Sequence, residues 1–250
     1  MITIKTEAEL AIIKEAGRRL RLVMKELVPQ VRPGITTLSI DEAAQQLIKK
    51  QGGEPGFMRV HGYKWATCLT INEQAVHTPP SKRILKDGDL LTIDIGLYML
   101  GFHTDHAISF IVGNMKDPKV QTFLDVGEAT LKKAIKSIKI GGRIGDISKT
   151  ISDEIYGHGY FILKELTGHG VGAELHEDPM IPGFLDRPIQ NTDLIRPGMV
   201  IAVEIIYSMG TERIVYERGD AWSIKTADGS LSACFEHTIG IYSDKAEVLT

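Results

Sequence analysis

A short apolar run ending in a carboxylate occurs twice in this chain, 110 positions apart. Residues 84–95 read ILKDGDLLTIDI and residues 194–205 read LIRPGMVIAVEI. With Gly88 set on Gly198, Leu90-Leu91-Thr92-Ile93 falls on Val200-Ile201-Ala202-Val203, and Asp94 falls on Glu204. A carboxylate at the end of such a run is costly to bury unless it is paired or holds a metal. The same costly choice in both copies points to a site built between two halves. Two further echoes support this: His77-Thr78-Pro79-Pro80 and His176-Glu177-Asp178-Pro179 share H-x-x-P upstream of the runs, and Asp105-His106-Ala107-Ile108 and Glu236-His237-Thr238-Ile239 share acid-His-x-Ile downstream.

The helical periodicity repeats in the same order. Thr6 and Glu9 form a capping-box pattern ahead of Leu10, Ile13, Leu20, Val23, Met24 and Leu27, which predicts a helix ending near Pro29. After a turn at Pro33-Gly34, Ser39 with Glu42 opens a second helix through Leu47 and Ile48, closed by Gly52-Gly53. Asp117-Pro118 starts a third helix through Phe123, Leu131 and Ile138; Gly141-Gly142 turns the chain, and a fourth helix runs near Ile147, Ile151 and Ile155. Strands are predicted at 90–97, 102–112, 199–207 and 232–241, and the runs before Asp94 and Glu204 read as deeply buried. Helices in that order are common in α/β chains; the matched carboxylate strands make the case for a duplication. No low-complexity linker separates the halves. The expectation is one domain, 1–250, of α/β (α+β) class, with two pseudo-equivalent halves of about 1–115 and 116–250 around a mostly antiparallel sheet.

Bulk properties narrow the function. A chain of 250 residues can bury roughly 70–75% of its unfolded surface, so its core needs no staples. A formal net charge of −3 gives no global signature of nucleic-acid or membrane binding. Two cysteines, Cys68 and Cys234, are too few for a disulfide framework and fit a reducing compartment. The start MITIKTEAEL lacks the pattern of a signal peptide, and no apolar run approaches the ~20 residues that span a bilayer. A cytoplasmic protein is expected.

Five residues form a candidate metal set: Asp94, Asp105, His169, Glu204 and Glu236. Four carboxylates balance the charge of two divalent ions and can bridge them. An oxygen-rich donor set with a single imidazole suits Mn²⁺, Co²⁺, Fe²⁺ or Zn²⁺ better than a thiolate-lined zinc site does. A pair of such ions roughly 3.5–4 Å apart activates a water and polarises a carbonyl. The eleven-residue spacing of Asp94 and Asp105 fits adjacent antiparallel strands turning at Leu100-Gly101, with both acids facing one cleft. His169 lies between glycines in TGHGVG, where the backbone can approach closely and leave the imidazole unshielded. His176 follows seven residues later, an odd separation that puts it on the other face of an extended segment unless the chain bends. His169 is therefore assigned to metal and His176, with His77 as its counterpart, to substrate. The remaining histidines, at 61, 103, 106, 158 and 237, are read as surface or structural. No H-E-x-x-H, G-x-S-x-G, G-x-G-x-x-G or Walker motif occurs, which disfavours serine-nucleophile and nucleotide-dependent chemistry.

The ordered set Asp94, Asp105, His169, Glu204, Glu236, with INE…H at 71–77, G-F-H-x-D at 101–105, TGHG at 167–170 and AW…EHTI from 221 to 239, resembles the dinuclear-metal methionine aminopeptidases, type I branch. The resemblance covers nearly the whole chain and implies their pseudo-two-fold pita-bread fold. It assigns Asp94, Asp105, His169, Glu204 and Glu236 to two metals, and His77 and His176 to substrate binding and stabilisation of the tetrahedral intermediate. Glu204 is a plausible proton acceptor. Tyr63, Cys68, Leu175 and Trp222 fall where that family lines its methionine pocket. Three positions depart from the usual pattern: Thr78 for Gly, Leu175 for Phe, and Ile205 for Pro.

The implied activity is removal of the N-terminal methionine from nascent proteins whose second residue is small. Its partner is the nascent polypeptide N-terminus, with the ribosome as a further candidate, no specific nucleic acid, no membrane, and a monomeric state. Two alternatives stand beside it. An Xaa-Pro-type metallopeptidase of the same fold usually carries further cleft histidines and a larger N-terminal domain. A non-catalytic binding module need not retain a costly acid cluster.

Overall fold

The computed structural model describes residues 1–114 and 117–250, so the expected boundary between halves at 115/116 lies outside the described residues. Each half supplies a helix pair: α1 (Glu7–Leu27) with α2 (Thr37–Lys50), and α3 (Pro118–Ser137) with α4 (Ile144–Gly157). α1 starts as its sequence predicts, with Thr6 and Glu9 satisfying each other's backbone N–H groups. α2 starts earlier than expected. Its cap is Thr36, whose hydroxyl accepts from the Ser39 amide, while the Ser39 hydroxyl donates back to the Thr36 carbonyl from inside the first turn. The reason is tertiary: Thr36 is held extended by a bridge to Ile84, and Arg143, the cap residue of α4, is held the same way against Leu194. Each helix pair is thus tied to the segment that leads into its carboxylate strand.

Those strands lie in one ten-stranded sheet. At its centre run, in spatial order, the Asp94 strand (Leu90–Met99), the Asp105 strand (Phe102–Ile111), the Glu236 strand (Ser232–Ile241), the Glu204 strand (Val200–Ser208) and the His169 strand (Thr167–Gly170), each antiparallel to its neighbour. Thr67–Ile71 pairs with the outer side of the Asp94 strand, as His169's strand does with Glu204's.

Strand alternation sorts the side chains. Leu91, Ile93, Ile95 and Leu97 pack on Leu20, Met24, Ile40 and Ile48 of α1 and α2. Ile201, Val203, Ile205 and Tyr207 pack on Phe123, Leu131, Ile147 and Ile151 of α3 and α4. All four helices cover this one face, giving each half its own core. The even-numbered positions, including Thr92, Asp94, Ala202 and Glu204, face the other way. There a small second sheet (Gln74–Val76, Ile214–Tyr216, Ile224–Thr226) sets Val76 and Ile224 against Ala107, Ile206 and Cys234. The acids therefore project from the helix-free face.

Candidate metal centre and active site

The strand register brings all five sequence-derived metal candidates together. Asp94 pairs with Ala107, Ala107 with Glu236, and Glu236 with Glu204, so three acids stand in one row across four strands. Asp105 pairs with Gly96 and His169 with Ala202, each two residues along from that row and therefore on the same face. The His169 Nε2 lies 3.9 Å from Glu204 Oε1 and 4.0 Å from Asp105 Oδ2. Donor atoms of Asp105, His169 and Glu236 all fall within 4.8 Å of one another. His169's other nitrogen, Nδ1, sits 2.8 Å from the Gly170 carbonyl. A carbonyl only accepts, so Nδ1 carries the proton and Nε2 presents a lone pair to the carboxylates. The flanking glycines make room: a Cβ on Gly168 would strike the Ala202 carbonyl oxygen, and one on Gly170 the Asp178 backbone.

The electrostatics are those of carboxylates crowded together and buried. Burial pushes Asp94, Glu204 and Glu236 well above the usual carboxylate range, and their mutual repulsion and that of Asp105 push further in the same direction. Asp105 is pushed up to about 7, again mainly by burial. Among the described residues no lysine or arginine ion pair reaches any of the four. One oxygen of Asp94, Oδ1, is buried without a hydrogen-bond partner. Burial also drives the His169 imidazole down to about 3, so it is a neutral donor and not a compensating cation. Four buried acids, one neutral imidazole and an orphaned oxygen make a donor set that could hold metal.

Above this cluster opens a cavity of about 290 Å³ lined by His77, His176, Asp94, Asp105, His169, Glu204 and Glu236 together with Tyr63, Cys68, Leu175 and Trp222. The bend demanded by the 169–176 spacing is present: the chain leaves the His169 strand, turns, and returns along Glu177–Pro182 with Glu177 opposite Gly170. The two rings then meet edge to face at 4.4 Å. His77 reaches the cavity with its backbone at φ 60°, the left-handed region. Such a conformation is uncommon for a non-glycine residue and is held only where the surroundings over-determine it. Burial lowers the pKa of both His77 and His176 and keeps them neutral.

Tyr63, Cys68 and Leu175 form a buried apolar cluster with Phe57, against which Val60, Trp65 and Trp222 pack. The Tyr63 hydroxyl bonds the Thr67 carbonyl at 2.8 Å and meets the Cys68 sulfur at 3.2 Å, while its ring meets Trp222 edge-on at 5.1 Å. Sequence reasoning missed Phe57 and Val60, which lie in and beside a single 3₁₀ turn (Phe57–Arg59), and Ile206 and Met180, which also line the cavity. The turn carries no periodicity that could have marked them. Ile206 does carry a signal: it is two residues beyond Glu204 on the same face. Of the remaining histidines, 106 and 237 stack at 4.6 Å, both ring systems removed from the cavity lining, and His158 is exposed.

Fold and site together define a metallopeptidase. The model of metallopeptidase family M24 matches residues 11–242, and the chain belongs to that family. Within it, the chain stands among the methionine aminopeptidases. It is 40% identical over 250 residues to methionine aminopeptidase 1 of Bacillus subtilis, covering 100% of this chain and 99% of that one. The crystal structure of methionine aminopeptidase from Thermotoga maritima superposes with a TM-score of 0.95 at 38% identity, covering 100% of this chain and 99% of that chain. The prolidase from Pyrococcus furiosus shares the fold alone, at TM-score 0.79 and 21% identity, and this chain spans 65% of it. The architecture is the pita-bread fold. No described helix is long and apolar enough to cross a membrane.

Proposed function

We propose that this chain removes the N-terminal methionine from polypeptides whose second residue is small, using two divalent ions drawn from Mn²⁺, Co²⁺, Fe²⁺ or Zn²⁺. The observation that carries the reading is the joining of two features in one cavity: a floor of buried acids and His169, and a wall of Tyr63, Cys68, Leu175 and Trp222. The wall is apolar and aromatic, the surroundings that favour an unbranched thioether. Full-length similarity to methionine aminopeptidases supports the same substrate.

Asp94, Asp105, His169, Glu204 and Glu236 would hold the ions. When bound, such ions lower the pKa of a water and polarise a carbonyl oxygen. His77 and His176, neutral through burial, each have an N–H to donate toward the carbonyl oxygen of the first peptide bond as charge develops on it. Glu204, a carboxylate at the edge of the acid row, accepts the proton of the attacking water. The apolar wall excludes water from the methionine side chain and fixes the N-terminal residue in register with the acids. Nascent chains emerging from the ribosome in the cytoplasm would supply the substrate to a monomeric enzyme.

The test is release of free methionine from Met-Ala-Ser by metal-reconstituted protein, set against Met-Leu-Ser and an Xaa-Pro dipeptide. Cleavage of Met-Ala-Ser alone is expected. Turnover of the Xaa-Pro dipeptide in its place would assign the chain to the other specificity of this fold, and binding without turnover would make it a binding module.

A further inference from the structure

We propose that Lys5, on the arm before α1, is a positioning residue for catalysis: its buried ion pair with Glu177 sets the turn that presents His176 to the acid cluster and Leu175 to the side-chain pocket. The proposal rests on the roles given above to His176 and Leu175.

The Lys5 side chain is 2% exposed and that of Glu177 9%, and Nζ lies 2.5 Å from Oε2. An ammonium this deeply buried is tolerated only with a partner in good geometry, which makes the pair a strong constraint on both segments. Each end of it is tied down. The Lys5 amide donates to the Gly198 carbonyl at 2.7 Å, fixing the arm to the turn that opens the Glu204 strand. The second oxygen of Glu177, Oε1, accepts from the Glu174 amide at 3.2 Å, and the Glu174 carbonyl accepts from the Gly172 amide at 3.0 Å. The segment 172–177 is thereby closed on itself around the Glu177 carboxylate. Gly172 passes so close that a Cβ there would lie 2.5 Å from Lys5 Cε and 2.6 Å from Glu177 Oε1. Its carbonyl accepts from the His103 amide at 2.7 Å, two residues from Asp105. His176 precedes Glu177 directly and Leu175 precedes His176, so a displaced carboxylate displaces both.

Among the described residues no buried ion pair holds the segment after His77. The residue after His77 is Thr78, whose buried hydroxyl has no hydrogen-bond partner; His77 is held by its left-handed backbone instead. The ion pair is therefore a device specific to His176. The metal candidates themselves sit on sheet strands: Asp94, Asp105, Glu204 and Glu236 on long central ones, and His169 on the short strand whose Gly170 pairs with Glu177.

The experiment is a double-mutant cycle on metal-loaded, full-length protein, combining Lys5→Met with His176→Ala and reading methionine release. Lys5→Met is expected to lower kcat between roughly 10- and 100-fold, as misplacement of a catalytic group does, with KM raised through the displaced Leu175 and metal content within about twofold. In the His176→Ala background the same change should alter kcat by less than about twofold, because coupled residues are not additive. Equal losses in both backgrounds, or a lower Tm with unchanged kcat well below it, would overturn the proposal and leave a stabilising pair only. Should Lys5→Met fail to fold, Lys5→Met/Glu177→Gln removes both charges, strands neither, and is read by the same criteria. Imidazole nitrogen NMR of His176 gives a readout that needs no substrate: its resonance should shift in the Lys5 variant, and an unmoved resonance counts against positioning even where wild-type protein spares Met-Ala-Ser, a failure that would indict the substrate reading alone.

Discussion

In the first half, Asp94 and Asp105 lie on a hairpin closed directly by Leu100 and Gly101, both at positive φ. In the second, Glu204 and Glu236 are 32 positions apart, and the excursion between them builds two strands of the small sheet and carries Trp222 into the cavity. The halves differ again at the imidazole. His169 pairs with Ala202, and the 110-residue offset maps Ala202 onto Thr92, which pairs with Thr70. Thr70 is thus the internal counterpart of His169; the separations of 99 from Thr70 to His169 and from His77 to His176 agree. Both halves carry matched carboxylates and matched histidines at 77 and 176, but among the described residues the first half has threonine where the second has His169. The halves thus share the carboxylate strands of the sheet and differ in the wall, the arm and the His169 imidazole.

The largest effect should come from removing what both halves hold in common. Excess chelator is expected to abolish peptide cleavage, and added Mn²⁺ or Co²⁺ to restore it. Asp105→Asn should greatly weaken occupancy in elemental analysis; full activity in excess EDTA with no metal present would sink the metal reading. Metal-free protein gives a pH signature. A carboxyl whose folded pKa is raised contributes stability below its unfolded value, and that contribution is lost as pH rises through the folded value. For Asp105 the window runs from 3.8 to about 7, and burial shifts the other acids in the same direction. The Tm of metal-free protein should therefore fall as pH rises across this window, and metal should reverse the fall. A metal-free Tm that climbs over the same range would contradict the assigned burial of the acids.

Next in size are His77 and His176, one from each half, proposed above to contact substrate. His77→Ala and His176→Ala should each cost on the order of 10²–10³-fold in kcat if they stabilise developing charge, with metal content unchanged. Loss of metal from the His176 variant would show that the halves divide their histidines differently.

Smaller effects should follow in the helices. Gly17 in α1 and Gly127 in α3 are also 110 residues apart, yet they make room for different neighbours. A Cβ at Gly17 would lie 2.6 Å from the Leu249 carbonyl oxygen, and one at Gly127 would collide with the hydroxyl of the fully buried Tyr207, which donates to the Phe123 carbonyl. Overpacking of this kind costs about 1–3 kcal/mol, more than the roughly 1 kcal/mol that alanine recovers in helix propensity. Urea unfolding of Gly17→Ala and Gly127→Ala should show lower midpoints for both. An unchanged midpoint in either would mean that the neighbour gives way.

Much of the sheet and the acid cluster was legible because each carboxylate interrupts a buried apolar strand, a conflict that only a site explains. His169 and the need for a bend before His176 were legible from glycine spacing and strand parity. The start of α2 was not, because its cap depends on the Thr36–Ile84 bridge rather than on the local Ser39–Glu42 pattern. Nor was the Lys5–Glu177 pair, whose partners are 172 residues apart and carry no local signal. Phe57 and Val60 joined the wall through a turn whose placement is set by tertiary contacts with Tyr63 and Gly96.

The smallest effect tests the one-sided imidazole. Thr70 is buried, faces the same way as Thr92 and Asp94, and its hydroxyl has no hydrogen-bond partner. A buried, unsatisfied hydroxyl costs free energy, and replacing it with an apolar group of the same shape is nearly neutral or stabilising. Thr70→Val should therefore leave metal content, kcat and KM unchanged and shift stability by between zero and about 1 kcal/mol in the favourable direction. His169→Ala, at the matched position, should lose metal. Elemental analysis and urea unfolding of the two variants side by side decide the matter. A fall in metal content or activity in Thr70→Val would mean that the first half also contributes a donor there, and that the two halves are more alike in their chemistry than the His169 strand implies.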